Sequence, residues 1–257
     1  MAPSYRVADG TLVSMELENI VFDALDPRLL GMFWQDLLGC SQLTDSAEGF
    51  ETRLFVENGP TLDFCFQPVE HPAAEHQRLR LRLNGGSLPE QVMTTALGLG
   101  ASRPVNEESC EPGLDLRDPQ NNAFGIAEES SDQHTSGAVA AITIESASPA
   151  REAEFWAWLS GWDQMKSGTS PTLQHPSGRG FRMEFIEQRS AKSASKNRIH
   201  LDVRLSPGDD PDRVAAEITT RGGAELHPDW GTLPWRVYQD PSGNEFCVLP
   251  APSRSKE

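Results

Sequence analysis

One pattern recurs along this chain at a nearly constant offset, and it constrains the fold more than any other feature. Asp26-Pro27, Phe33-Trp34 and Gly39 return as Ser148-Pro149, Phe155-Trp156 and Gly161, each 122 residues later. Asp118-Pro119 with Asn122 and Phe124 returns as Asp240-Pro241 with Asn244 and Phe246 at the same offset. Gly100-Ala101 returns as Gly223-Ala224, shifted by 123. Four landmarks in one order mark a tandem duplication. At 257 residues the chain also exceeds an ordinary single domain. Two domains are expected, 1–130 and 138–257, joined by a polar linker over 128–137.

Each copy carries the same element signals. A strand (17–22 or 139–144) runs into a helix whose cap is Asp26 or Ser148, with proline at the first helical position, where its missing N–H costs nothing. Leu30, Phe33, Trp34, Leu37 and Leu38 then fall on one stripe, so Trp34 and its repeat Trp156 are expected in the core. Short strands follow at 62–67 and 181–186. Further strands at 78–83 and 198–205 lead to second helices that end near Gly98 and Gly222. Asp240-Pro241-Ser242-Gly243-Asn244 reads as a tight turn without a chemical role. The Lys/Ser-rich stretch 188–196 reads as a mobile loop.

Period-2 alternation assigns the polar faces. Arg78, Arg80 and Arg82 share one face of their strand, as do Arg198, His200, Asp202 and Arg204 of theirs. Arg182 and Glu184 share a face of a third strand. The arginine ladder could hold an anion through paired hydrogen bonds, or simply face water and the acidic side chains around it. His200 reads either as a base or ligand, its ordinary pKa lying near neutrality, or as a polar-face histidine bonded to Asp202 or Glu184. Cys247, beside Phe246, reads as a small buried apolar group, a nucleophile or a ligand. Trp230 and Trp235 flank a turn and could border a pocket.

Charge and cysteine usage narrow the function. The chain has 22 basic and 38 acidic residues, a net charge of −16. Residues 1–130 hold 8 of the basic and 21 of the acidic ones, so most of the excess sits in the first half. A chain this acidic repels phosphate backbones, which argues against nucleic-acid binding. Cys40, Cys65, Cys110 and Cys247 are widely spaced, fitting a reducing compartment better than a disulfide framework. No run of about 20 apolar residues exists to span a membrane, and the first residues show no signal-peptide pattern. A cytoplasmic protein is the expectation.

The strand, the Asp-Pro cap, the Phe-Trp helix, then Lys196-Asn-Arg-Ile-His-Leu-Asp202, Gly-Gly-Ala and Asp240-Pro-Ser-Gly-Asn-Glu-Phe-Cys247, resemble the glyoxalase-like domain of the vicinal oxygen chelate superfamily. That superfamily includes glyoxalase I, bleomycin-resistance proteins and extradiol dioxygenases. The resemblance spans nearly the whole chain in two copies and is closer in the second. It implies an α+β fold of tandem paired βαβββ modules, each pair curling a sheet around a cavity. It further implies a small-molecule ligand, as a monomer whose duplication mimics a dimer or as a homodimer.

Metal-using members take ligands from the first and last strands of the modules. By position, the first strands here offer Asn19, Arg80, Ala141 and His200, and the last-strand position is Gly125 in the first copy and Cys247 in the second. Glu184 falls about where glyoxalases place a glutamate. The resemblance thus implies a degenerate first copy and a site within the second. There His200, Glu184 and Cys247 would hold zinc, nickel, manganese or iron, or His200, Glu184 and Glu245 would act in a glyoxalase-type lyase or isomerase. Arg80, Arg182, Asp202, Arg204, Trp230 and Trp235 would contact the substrate. The lost ligand types at Asn19, Arg80, Ala141 and Gly125 favour the alternative, a metal-free protein that sequesters a drug or metabolite.

Overall fold

The computed structural model describes residues 5–6, 12–13, 15–71, 76–104, 114–127, 137–166, 168–227 and 232–252. A short ribbon, β1 (Tyr5–Arg6) and β2 (Leu12–Val13), precedes four successive modules. The first holds β3 (Glu16–Ala24), α1 (Pro27–Leu38), β4 (Ser41–Ser46), β5 (Gly49–Phe55) and β6 (Thr61–Pro68). The second holds β7 (Leu79–Asn84), α2 (Pro89–Gly98), β8 (Leu114–Arg117) and β9 (Ala123–Ala127). The third is β10 (Val139–Ser146), α3 (Pro149–Ser160), β11 (Asp163–Gln164), β12 (Thr172–Gln174) and β13 (Arg182–Glu187). The fourth is β14 (Ile199–Arg204), α4 (Pro211–Thr220), β15 (Ala224–Leu226), β16 (Arg236–Gln239) and β17 (Glu245–Leu249). No helix among the described residues is long and apolar enough to cross a membrane.

The repeated cap signals do what their chemistry requires in the first copy. The Asp26 carboxylate accepts the Leu29 N–H at 2.9 Å, and Gly39 closes α1 in the left-handed region at φ 68°, which a side chain would disfavour. In the second copy Ser148 occupies the cap position without a side-chain capping bond. Its own N–H instead donates to the Ser146 hydroxyl at 3.1 Å.

The modules pair into two sheets. One has eight strands in the order β15-β16-β17-β14-β3-β6-β5-β4, the other seven in the order β11-β12-β13-β10-β7-β9-β8. The first module therefore joins the fourth, and the second joins the third. Antiparallel pairs β3·β14 and β7·β10 form the two joins. Each half of the sequence supplies one module to each sheet, so neither half closes a sheet alone.

What ties the sheets together is the duplicated landmark set. The Asp118 carboxylate accepts the Gln120 and Asn122 N–H groups, the Asn122 side-chain amide and, at 3.1 Å, the indole N–H of Trp34. Asp240 repeats this with Ser242, Asn244 and the Trp156 indole. Trp34 belongs to the eight-stranded sheet's helix and Asp118 to the turn closing the seven-stranded sheet. Both tryptophans are core residues at 1% and 2% exposure. Trp34 packs edge-on against Phe124 at 5.1 Å between centroids, and Trp156 against Phe246 at 5.5 Å.

Two readings change. The stretch 188–196 is anchored: the Arg78 guanidinium donates to the Ser190 carbonyl (3.2 Å) and the Gln188 side chain (2.9 Å), and buried Lys192 pairs with Glu245 at 3.1 Å. Arg78 accordingly leaves the arginine ladder, lying one residue before β7, 5% exposed and bonded to Asn244.

The copies also differ on the inner face of the first helix. Glu152 occupies the position of Leu30, fully buried, taking the Ser242 hydroxyl as donor beside Asp240. Burial and then the adjacent Asp240 push the Glu152 carboxyl up, so the buried pair holds a proton above the ordinary carboxylate range. A raised folded-state pKa means stability present at acid pH is lost as pH rises. Urea unfolding at pH 5 and pH 9 should show wild type losing more than about 1 kcal/mol relative to Glu152→Gln over that interval; parallel profiles would contradict the shared proton. Asp118→Ala, which strands four donors, three of them buried, should cost about 3–5 kcal/mol in the same assay. A loss below about 0.5 kcal/mol would show that the Trp34–Asp118 tie is not structural.

Candidate functional site

Pairing of the first and fourth modules places the polar faces of four neighbouring strands together. Registers align Asp63 on β6 with Asn19 on β3, Asn19 with Asp202 on β14, and Asp202 with Cys247 on β17. The next row aligns Cys65 with Val21 and Val21 with His200. The opposite faces of β3 and β14 supply Ile20, Phe22, Leu201 and Val203 to the core, which fixes the register against slippage.

This face is the floor of a cavity of about 880 Å³. Asn19, Cys65, His200, Asp202, Arg204 and Cys247 line it, and Leu233, Trp235, Leu249 and Val69 give it an apolar wall. Ion pairs border it: Lys196 with Asp23 at 2.5 Å, and Arg204 with Glu18. Arg53 clamps Asp63 through two bonds of 2.6 and 2.7 Å.

At its centre His200, Asp202 and Cys247 are all buried, and one donor atom from each lies within 4.8 Å of the others. The Asn19 amide donates to Asp202 Oδ2 at 3.1 Å, while Asp202 Oδ1 stands 3.5 Å from His200 Nε2. His200 Nδ1 and Asp202 Oδ1 have no hydrogen-bond partner among the described residues. Buried polar atoms are almost always satisfied, so two orphans in one buried group point to a missing partner.

Burial, then the Lys196 charge, pushes the His200 imidazole down to about 3, so the ring is neutral and its nitrogen available. Burial raises the Asp202 carboxyl to about 7 against the opposing bond from Asn19. Burial and then Asp202 push the Cys247 thiol up, and burial with the surrounding carboxylates does the same to Cys65. A divalent cation among these groups would reverse each burial penalty. Nitrogen, oxygen and sulfur donors together suit zinc, nickel or iron, whereas a thiolate ligand argues against manganese. The residues fit a metal.

The site is not contained in the second half, as its sequence suggested. Glu184 is the principal correction. It lies on β13 of the seven-stranded sheet, paired with Arg82 at 2.7 Å, and is not among the residues lining the His200 cavity. Arg182 and Arg80 lie in that sheet as well, so they do not line the His200 cavity. Glu245 follows Cys247's face, but its carboxylate accepts Lys192 and the Asn197 N–H, both at 3.1 Å, and is absent from the cavity lining. Asp202, Arg204, Trp235 and Cys247 do line the cavity with His200. Trp230 lies outside the described residues. Asp202, read as a substrate contact, stands where a ligand would, and Cys65 and Lys196 were not singled out. The alternation Asp63-Phe64-Cys65-Phe66 puts Asp63 and Cys65 on one face; the missing signal is that β6 shares a sheet with β14, with β3 between them.

The glyoxalase-like domain model matches the chain twice, over residues 19–127 and 141–249. Among solved structures, a variant of glyoxalase I from Zea mays is similar at 12% identity and TM-score 0.61, covering 93% of both chains. Unsubstituted glyoxalase I from the same plant gives 0.60 at 11% identity, also with 93% of both chains covered. A candidate dioxygenase from Bacillus subtilis gives 0.56 at 13% identity, covering 93% of this chain and 86% of its own. At such identities these structures show the fold alone. No curated protein matches the sequence.

Proposed function

The chain belongs to the glyoxalase-like domain family, and on that premise we propose that it is a metal-assisted small-molecule enzyme working in the cavity of its eight-stranded sheet. The observation that carries this is the buried His200, Asp202 and Cys247 group with its two orphaned atoms. His200, Asp202 and Cys247 would hold zinc, nickel or iron, with Cys65 alongside. When bound, such a cation acts as a Lewis acid on a substrate oxygen and spreads developing negative charge, which suits a lyase- or isomerase-type reaction on vicinal oxygens.

The chain's own residues divide the remaining work. Asn19 holds the Asp202 carboxylate in place through Oδ2 and leaves Oδ1 directed at the His200 side. The Lys196–Asp23 and Arg204–Glu18 pairs set fixed charges around the cavity, where low dielectric strengthens them. Leu233, Trp235 and Leu249 exclude water and grip the apolar part of a ligand.

A second reading, metal-free sequestration, is favoured by the charges already paired around the cavity and by that apolar wall. Metal analysis of untagged protein separates the two. The metal reading expects about one equivalent of zinc, nickel or iron, lost in His200→Ala and bound at least about tenfold more weakly by Asp202→Asn. Affinity should fall on acidification, because Asp202 and Cys247 must shed protons to bind. A protein that takes up no metal, yet binds a ligand with Trp235 quenching unaffected by His200→Ala, would overturn the metal reading and leave sequestration.

A further inference from the structure

The seven-stranded sheet has a face built on the same register as the cavity floor, and its chemistry is inverted. The pairings Asn19·Asp202 and Val21·His200 correspond to Ala141·Arg82 and Thr143·Arg80. Asp63 and Cys65 correspond to Arg182 and Glu184, and Cys247 to Gly125. Where one sheet has histidine, two aspartates and cysteines, the other has three arginines and a glutamate. In a chain of net charge −16 this is a local reversal of sign.

Not every charge on this face is available. Arg82 is held by Glu184 at 2.7 Å, and Arg182 donates to the Gln174 side chain at 3.1 Å. Asp115 stands opposite Gly125 and adds a second carboxylate. Arg80 makes no hydrogen bond or ion pair among the described residues. Its register partner Thr143 is 4% exposed, and its hydroxyl has no hydrogen-bond partner. A buried hydroxyl left unsatisfied costs about 1–3 kcal/mol unless something accepts or donates there. A Cβ placed on Gly125 would fit there in ordinary contact, with the Asp115 carboxylate at 3.5 Å and the Arg82 side chain at 3.8 Å.

We propose that this face is a second ligand site, for an oxyanion such as a phosphate or carboxylate group, held by Arg80 with the Thr143 hydroxyl beside it and Arg182 at its edge. Guanidinium pairs two N–H donors with two oxygens of such a group, and a hydroxyl supplies a third donor at fixed distance. The site is separate from the cavity of the other sheet and independent of any metal there.

Calorimetric titration of the full chain with inorganic phosphate, at constant ionic strength set by chloride, tests this. Saturable one-to-one binding is expected, weakened at least about tenfold by Arg80→Ala and severalfold by Thr143→Val. Thr143→Val removes only an unpaired hydroxyl, so its melting temperature should equal or exceed wild type while phosphate binding drops. His200→Ala should bind phosphate as wild type does. A citrate titration lost in the same variants would identify carboxylates as ligands of the same site, which also supports the proposal. No saturable phosphate binding, binding unchanged in both Arg80→Ala and Thr143→Val, or binding lost in His200→Ala would each overturn it.

Discussion

Strand β3 meets β14 antiparallel, with Asn19 opposite Asp202 and Ile20 opposite Leu201, although 183 residues separate Asn19 from Asp202. Everything chemical in the eight-stranded sheet depends on that join. It brings the Asn19 amide to the Asp202 carboxylate, sets Cys65 in the same row as His200 across Val21, and gives the cavity walls from both ends of the chain. Register slippage by one residue would bury the polar row and expose Ile20, Phe22 and Leu201, so the apolar face enforces the geometry of the polar one.

The join holds because the two sheets are bound to each other at two related points. Asp118 and Asp240 each collect backbone, amide and indole donors inside a turn, and each indole comes from the helix of the other sheet. The tie uses the tandem order of the modules: each half makes one connection between sheets, and the strand joins make the reverse connection between halves. On the first helix of the second copy Glu152 stands where the first copy has Leu30, and burial beside Asp240 favours the protonated form of that pair.

Much of this was legible in the sequence. The fixed offset located the modules, Asp26-Pro27 and Ser148-Pro149 located the first helix of each copy, and strict alternation put His200, Asp202 and Arg204 on one polar face. Cys247 was legible as a candidate only through the family resemblance, which places a ligand at that position of the last strand. What could not be read was which modules share a sheet. Local alternation says which side chains share a face of one strand and nothing about which strand lies beside it, because pairing is settled by long-range packing. Glu184 therefore looked like a companion of His200, when register makes it the counterpart of Cys65. Arg78 misled for a related reason: its spacing matches Arg80 and Arg82, but it sits just before β7, where its guanidinium finds Asn244 and the 188–190 segment instead of the face.

The two sheets thus carry one architecture with opposite chemistry, donors suited to a cation on the eight-stranded sheet and arginines on the seven-stranded one. X-ray absorption at the metal edge of the zinc-loaded protein tests the central claim most directly. The account expects one sulfur scatterer at about 2.3 Å, from Cys247, with nitrogen and oxygen at about 2.0–2.2 Å, the sulfur vanishing in Cys247→Ser. A zinc shell of nitrogen and oxygen alone in wild type, or a sulfur signal that survives Cys247→Ser, would contradict it.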